Sequence, residues 1–143
     1  EDIITYTDGG SRGNPGEAAI GVVIKNAKGE MIKTYGERLG IASNNVAEYT
    51  AAVFSLQKIK QLFGKEKVKS MNVDMRMDSE LMVKQLNGEY KIEHEDLQPL
   101  FLKIWNLKID FRQVVFTHIP REKNKEADRL VNQALDRHTD KLF

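Results

Sequence analysis

The sequence contains no cysteine. Disulfides, zinc–thiolate sites and thiol nucleophiles are therefore excluded, so any catalysis must use carboxylates, hydroxyls or the three histidines. No apolar run approaches the roughly 18 residues that a membrane-spanning helix needs. The first residues also lack a basic region followed by an apolar stretch. We therefore predict a cytoplasmic protein that does not bind a membrane.

Net charge is almost absent as well. The 22 Lys and Arg residues nearly cancel the 21 Asp and Glu residues, so overall charge does not identify a polyanionic partner. Of the 143 residues, 41% are hydrophobic and 30% are charged, which suffices for one core and excludes wholesale disorder. This length predicts a single domain over 1–143, with a C-terminal tail at 138–143. No feature implies a protein partner, and we expect a monomer.

The first part of the chain predicts three antiparallel strands. The stretch 3–8 is rich in β-branched and aromatic residues and precedes Gly9-Gly10, so we predict a strand that ends in a turn at the two glycines. The stretches 18–25 and 31–39 flank a short run of turn residues, which predicts a hairpin.

The rest of the chain predicts strands that alternate with helices. Apolar residues recur every three or four positions over 45–63, which predicts a helix, and alternate over 71–77, which predicts a strand. The following elements are a short helix from 81 to about 88, a helix over 96–107, a strand over 114–117 and a helix over 122–137. We therefore expect an α/β fold with a mixed five-stranded sheet and helices on both faces. We also expect Trp105 to lie in the core.

Four acidic residues stand at notable positions: Asp8, Glu48, Asp78 and Asp128. Each has a structural alternative. Asp8 before two glycines could form a turn, and Glu48 could complete a capping box at its helix. Asp78 could cap the helix that follows it, and Asp128 could pair with a neighbouring basic side chain.

Taken together, the four acids favour a metal site. Asp8 and Asp78 follow predicted strands, and open α/β sheets place their sites at the carboxyl ends of strands. Carboxylates about 4 Å apart repel by about 4 kcal/mol per pair at an effective dielectric near 20, so such a cluster needs a cation or protons. Oxygen ligands without cysteine suit Mg²⁺ or Mn²⁺. Two such ions about 4 Å apart would suit phosphodiester hydrolysis.

Several motifs occur in order along the chain: TDGGSRGNPG at 7–16, NNVAE at 44–48, Asp78-Ser79, and a final HIPREKNKEAD at 118–128. Together they resemble type 1 ribonuclease H, in a compact subgroup that lacks a basic protrusion. The resemblance implies the ribonuclease H-like fold and cleavage of the RNA strand of an RNA–DNA hybrid, leaving 5′-phosphate and 3′-hydroxyl ends. It also implies that the four acids are catalytic and bind two Mg²⁺ or Mn²⁺ ions with substrate.

The resemblance further implies substrate contacts. Those along the RNA strand are Gly10, Ser11, Arg12, Gly13, Asn14 and Asn45. Asn44 would reach toward the DNA strand. Tyr90 is either a packing residue or an aromatic contact with the DNA backbone. Contact with the 2′-hydroxyl is what would distinguish RNA from DNA.

His118 follows the last predicted strand, ten residues before Asp128. A lone histidine is more often structural, but histidine titrates near neutral pH and can shuttle protons. The resemblance favours a catalytic role for His118 in proton transfer or product release.

The basic protrusion is missing because the interval from Glu80 to Thr117 holds five basic and six acidic residues. Substrate-binding cations must then lie elsewhere, and we predict Arg121 and Lys123, which lie close in sequence to His118 and Asp128. The same fold could instead serve a nuclease for double-stranded RNA or junctions, or a non-catalytic hybrid-binding module. A module without catalysis would have no reason to keep four repelling acids.

Overall fold

The computed structural model describes residues 2–140, which form a five-stranded sheet in the order β3-β2-β1-β4-β5. The strands are β1 (Asp2–Gly13), β2 (Gly16–Asn26), β3 (Met31–Ala42), β4 (Asn72–Met77) and β5 (Gln113–His118). The first three strands pair antiparallel, whereas β4 pairs parallel with both β1 and β5. The predicted mixed sheet is therefore confirmed.

Four α-helices accompany the sheet in the described residues: α1 (Asn44–Phe63), α2 (Glu80–Leu86), α3 (Gln98–Ile109) and α4 (Lys125–Asp140). Single 3₁₀ turns at Lys67–Ser70 and Arg121–Lys123 precede β4 and α4. Serine side chains cap two of the helices, because Ser43 accepts from the Val46 N–H and Ser79 from the Met82 N–H. No helix among residues 2–140 is both long and apolar enough to cross a membrane.

Helices cover both faces of the sheet, as predicted. Successive residues of a strand point to opposite faces, and on β1 a Cβ at Gly9 would lie 2.3 Å from the Ala47 carbonyl carbon of α1. A Cβ at Gly10 would instead lie 3.7 Å from Val131 of α4. The main core lies between the sheet and α1, whereas α4 packs a smaller apolar cluster against the other face.

Strand β1 does not end at Asp8, contrary to the sequence prediction. It continues to Gly13 and pairs with β2 throughout, with Asp8 opposite Gly21. The glycine pair does not form the predicted turn. The missing side chain at Gly9 allows the close approach of α1, whereas a Cβ at Gly10 would make only an ordinary contact with Val131 of α4. The chain reverses only after Gly13, which has a φ of 96°. The parallel pairing of β1 with β4 ends at Tyr6, however, so Asp8 still lies beyond the parallel part of the sheet.

Trp105 is 47% exposed, so the prediction of a core position is wrong. Its indole stacks on Phe101, and the Lys108 ammonium lies 4.4 Å from its ring centroid. Neighbouring residues of a helix point about 100° apart, and Ile104 takes the buried position of α3 instead. At the other end of the chain, residues 138–140 of the predicted tail belong to α4, and 141–143 lie outside the described residues.

Candidate active site

Three of the four predicted acids form a compact cluster. Asp8, Glu48 and Asp78 each offer one carboxylate oxygen, and these three oxygens all lie within 4.8 Å of one another. Asp8 comes from β1, Asp78 directly follows β4, and Glu48 lies near the N-terminus of α1. The helix reaches the strand because Gly9 has no side chain to hold Ala47 away. The sheet and α1 together therefore assemble the cluster.

The structural alternatives for these three acids do not occur. Asp8 lies within a paired strand and not in a turn. The cap of α1 is Ser43 and the cap of α2 is Ser79, so neither Glu48 nor Asp78 caps its helix. These three carboxylates therefore take neither the turn role nor the cap role that the sequence allowed.

Asp128 reaches the same place from the opposite face of the sheet. It lies in the first turn of α4 and lines the same cavity, and its charge raises the pKa of Asp8. Its carboxylate is exposed and stands outside the compact group of three. Within the described residues, no ion pair joins Asp128 to Lys125 or Arg129, the neighbouring basic side chains.

The cluster is electrostatically strained. Burial, followed by the charges of Asp78, Asp128 and Glu48, raises the pKa of Asp8 to about 8. Burial and Asp78 raise the pKa of Glu48 to about 7, although the positive charge of Arg121 opposes this. Burial and the neighbouring charges thus stabilise the neutral forms of Asp8 and Glu48 relative to their charged forms. An all-oxygen donor set with this excess of negative charge fits a hard divalent cation such as Mg²⁺ or Mn²⁺.

The acids line a cavity of about 380 Å³. The rest of its wall consists of Gly9, Gly10, Ser11, Arg12, Asn44, Arg121, Val131, Asn132 and Leu135. Five of the predicted substrate-binding residues are therefore beside the acids. They come from the second half of β1, the start of α1 and the 3₁₀ turn before α4.

A hydrogen-bond network holds the second half of β1 against α1. The Asn44 Oδ1 accepts from the Ser11 N–H at 2.9 Å and from the Ser11 hydroxyl at 3.1 Å. The Asn14 Oδ1 in turn accepts from the Asn44 N–H at 3.1 Å. Arg12 is fixed separately, because its guanidinium lies 2.6 Å from the Asp136 carboxylate of α4. These contacts orient the polar groups along one rim of the cavity.

Six predicted site residues lie outside the cavity wall: Gly13, Asn14, Asn45, Tyr90, His118 and Lys123. Tyr90 is 49% exposed after α2, and the Lys84 ammonium lies 5.1 Å from its ring centroid. His118 is exposed at the end of β5. Lys123 lines a second cavity of about 160 Å³ together with Tyr6 and Lys25.

Besides Gly9, which lines the cavity beside Asp8, sequence reasoning missed four residues at the site. Val131, Asn132 and Leu135 line the cavity at three, four and seven positions after Asp128, a spacing that places them on one face of α4. Asn124 is only 1% exposed and donates from Nδ2 to the Asp78 carboxylate at 3.0 Å. The helical period could have identified the first three. The Asn124 contact joins residues 46 positions apart, which no local pattern indicates.

Comparison with known proteins agrees with this geometry. A family model described as reverse transcriptase-like matches residues 6–134. The structure of LC11-RNase H1, isolated from compost by a metagenomic approach, superposes with a TM-score of 0.91 at 46% identity, covering 96% of this chain and 98% of that one.

This chain belongs to the type 1 ribonuclease H family.

Curated members of the family match nearly the whole chain. Ribonuclease HI of Halobacterium salinarum is 38% identical over 134 residues, which make up 94% of this chain and 64% of that protein. A bifunctional protein of Mycobacterium tuberculosis is 36% identical over 135 residues, or 94% of this chain and 35% of that protein. The chain thus spans about a third of the length of that longer relative.

The raised pKa values predict how the stability of this chain depends on pH in the absence of metal. Unfolded carboxyls titrate near pH 4, whereas Asp8 and Glu48 release their protons at a pKa of about 8 and about 7 when folded. Between the unfolded and the folded pKa values, the folded state binds more protons than the unfolded state. The free energy of unfolding therefore falls as pH rises through this range. We expect thermal melting in chelator to drop by at least about 5 °C from pH 5 to pH 8.

The matched control for this pH dependence is Asp8→Asn, in which the group with the largest shift cannot titrate. Its melting temperature should vary clearly less over the same pH range. If the melting temperatures of the wild type and of Asp8→Asn changed equally with pH, the acids would not repel one another as the geometry implies.

Proposed function

We propose that this protein hydrolyses the RNA strand of RNA–DNA hybrids and leaves 5′-phosphate and 3′-hydroxyl ends. The observation that carries the proposal is the set of three carboxylate oxygens within 4.8 Å of one another on the wall of a cavity of about 380 Å³. Support comes from LC11-RNase H1, whose crystal structure in complex with an RNA/DNA hybrid superposes with a TM-score of 0.90 at 46% identity.

Asp8, Glu48 and Asp78 would hold the cation, and Asp128 would complete the set from α4. We propose Mg²⁺ or Mn²⁺, with two ions present when substrate is bound. When bound, these cations supply water activation and neutralisation of charge at the leaving oxygen. The chain supplies four carboxylates from three sides, namely the sheet, α1 and α4. Their positions would set where a phosphodiester can lie.

The rim of the cavity would hold the nucleic acid. Gly10 and Ser11 present backbone groups beside the acids, and a glycine allows a strand to approach closely. Polar contacts at this rim would sense the 2′-hydroxyl that separates RNA from DNA. Arg121 would offset phosphate charge from the opposite side, where its charge already acts on Glu48.

Other parts of the sequence reasoning stay predictions. Contacts of the hybrid with Gly13, Asn14, Asn45, Tyr90 and Lys123 would require it to extend beyond the cavity. The cytoplasmic location, the monomeric state and the single-domain organisation likewise stay predictions.

The decisive experiment compares four labelled substrates: RNA–DNA hybrid, duplex RNA, duplex DNA and single strands. Each is incubated with Mg²⁺, with Mn²⁺ and with chelator, and Asp78→Asn protein serves as the inactive control. We expect cleavage of the RNA strand of the hybrid only when Mg²⁺ or Mn²⁺ is present, and the products should carry 5′-phosphate ends. Equal cleavage of duplex RNA would indicate a broader nuclease of the same fold, and binding without cleavage would indicate a non-catalytic module.

The exposed position of His118 at the end of β5 is compatible with a mobile proton carrier. We expect His118→Ala to lower kcat by about 10- to 100-fold, a smaller loss than that of any acid, with KM nearly unchanged. Steady-state kinetics from pH 6 to pH 9 would measure this. Wild-type turnover across that range would assign His118 a structural role only.

A further inference from the structure

Asn124 connects three separate parts of the active site. It lies between the 3₁₀ turn Arg121–Lys123 and α4, and only 1% of its surface is exposed. Its Nδ2 donates to the Thr7 carbonyl at 2.9 Å and to the Asp78 Oδ2 at 3.0 Å. One amide group therefore holds the backbone next to Asp8 and the carboxylate of Asp78 together.

The orientation of this amide follows from its surroundings. If the amide were reversed, Oδ1 would face the Thr7 carbonyl and the Asp78 carboxylate, and three acceptors would oppose one another. In the orientation observed, Oδ1 is buried and has no hydrogen-bond partner among the described residues. Leaving a buried acceptor unpaired is costly. This position therefore requires a donor, and the side chain supplies it at the expense of its own acceptor.

The backbone of Asn124 extends the connection to α4. Its carbonyl accepts from the Asp128 N–H at 3.1 Å, and its own N–H donates to the Arg121 carbonyl at 2.9 Å. Asp128 and Arg121 both line the cavity of the acids. The residue that holds Asp78 thus also anchors the first turn of the helix that carries Asp128.

We propose that Asn124 is a positioning residue that fixes Asp8, Asp78 and Asp128 relative to one another before any cation binds. The carboxylates repel one another. Without a donor between these segments, the Asp78 side chain would rotate away from Asp8, and the first turn of α4 would move away together with the charge of Asp128. The amide holds one geometry against this repulsion, so that the metal-binding cluster is preorganised. The catalytic consequence rests on the proposed function, but the effect on cation binding does not.

The test uses Asn124→Ala, Asn124→Leu and the control Ser55→Ala. Leucine keeps the number and branching of the side-chain heavy atoms of asparagine and removes the donor. Ser55 makes a buried side-chain hydrogen bond of 2.7 Å with Thr5, between α1 and β1 and outside the cavity wall. The control therefore loses a buried hydrogen bond of similar length without disturbing the acids. Mg²⁺ binding is measured by calorimetry with no nucleic acid present, and melting is measured in chelator.

We expect both Asn124 variants to bind Mg²⁺ at least tenfold more weakly than the wild type. On hybrid substrate, kcat should fall at least tenfold while KM stays within threefold, and raising Mg²⁺ should restore part of kcat. Ser55→Ala should lose comparable thermal stability yet bind Mg²⁺ and turn over as the wild type does.

Mg²⁺ binding within twofold of wild type in a folded Asn124 variant would overturn the proposal. So would failure of both variants to fold, because Asn124 would then serve the fold and not the geometry of the acids. A different result would separate the two proposals. If the variants bind Mg²⁺ more weakly but the wild-type protein cleaves no hybrid, the positioning role is supported and the proposed function is refuted.

Discussion

Asp8→Asn should reduce cleavage of an RNA–DNA hybrid by at least about a thousandfold, which corresponds to about 4 kcal/mol of transition-state stabilisation. Asp8 has the most strongly raised pKa of the cluster, because burial and three neighbouring carboxylates act on it together. Its charge is therefore needed for a cation and not for the fold. Single-turnover kinetics at saturating Mg²⁺ would measure the loss, and Asp78→Asn should behave in the same way.

The same substitution should leave the fold intact and should not destabilise it in chelator. Removing one charge reduces the repulsion among the remaining acids, so the melting temperature in chelator should rise or stay level. Asp110→Asn is the matched control, because Asp110 pairs with Lys60 at 2.8 Å outside the cavity wall. That variant should keep full activity and melt slightly lower. A substantial loss of stability in Asp8→Asn would assign Asp8 a structural role.

The second large effect is expected on substrate binding. Arg121→Ala should weaken hybrid binding about tenfold, because a hydrogen bond to a charged group contributes about 1.5–3 kcal/mol. Arg121 lines the cavity, and its charge acts on Glu48. Each phosphate contact steepens the dependence of log affinity on log salt by about 0.9 for B-form DNA. Binding of labelled hybrid to proteins in the inactive Asp8→Asn background, measured over a range of salt concentrations, would show a shallower slope without Arg121.

Lys123 tests how far the hybrid extends, because it lines the second cavity and not the first. The double variant Arg121→Ala/Lys123→Ala should flatten the slope further than Arg121→Ala alone if the hybrid reaches that cavity. Lys103 and Lys108 on α3 are the controls, since the Lys108 ammonium lies over the Trp105 ring. A slope that flattens when these two become alanine, and stays unchanged without Arg121 and Lys123, would place the substrate-binding cations on α3.

The chemistry of the site could be predicted from the sequence. Absence of cysteine left carboxylates and histidines as ligands for any metal site, and four acids stood at notable positions, two after predicted strands and two in predicted helices. The periods of two and 3.6 residues identified the order of strands and helices, because buried faces impose those periods on apolar residues. These signals are local, and each can be read from neighbouring positions.

Local signals failed where contacts between distant segments decided the structure. Gly9 and Gly10 look like a turn in sequence, yet they continue β1. At Gly9 the helix α1 approaches the strand too closely for a side chain, whereas at Gly10 a Cβ would make only an ordinary contact with α4. Trp105 has the large apolar side chain of a typical core residue, but Ile104 occupies the buried position of α3. A local pattern gives the period of an element but not which neighbour it meets.

The sequence by itself therefore determined the ligand types, the element order and the family, because these depend on residue identity and spacing along the chain. Only the tertiary structure decided which three acids meet within 4.8 Å and that Asp128 approaches from the other face of the sheet. It also decided that Asn124 joins Thr7 to Asp78, residues that lie 71 positions apart. Hydrogen bonds and repulsion depend on distance in space, and folding brings these groups together.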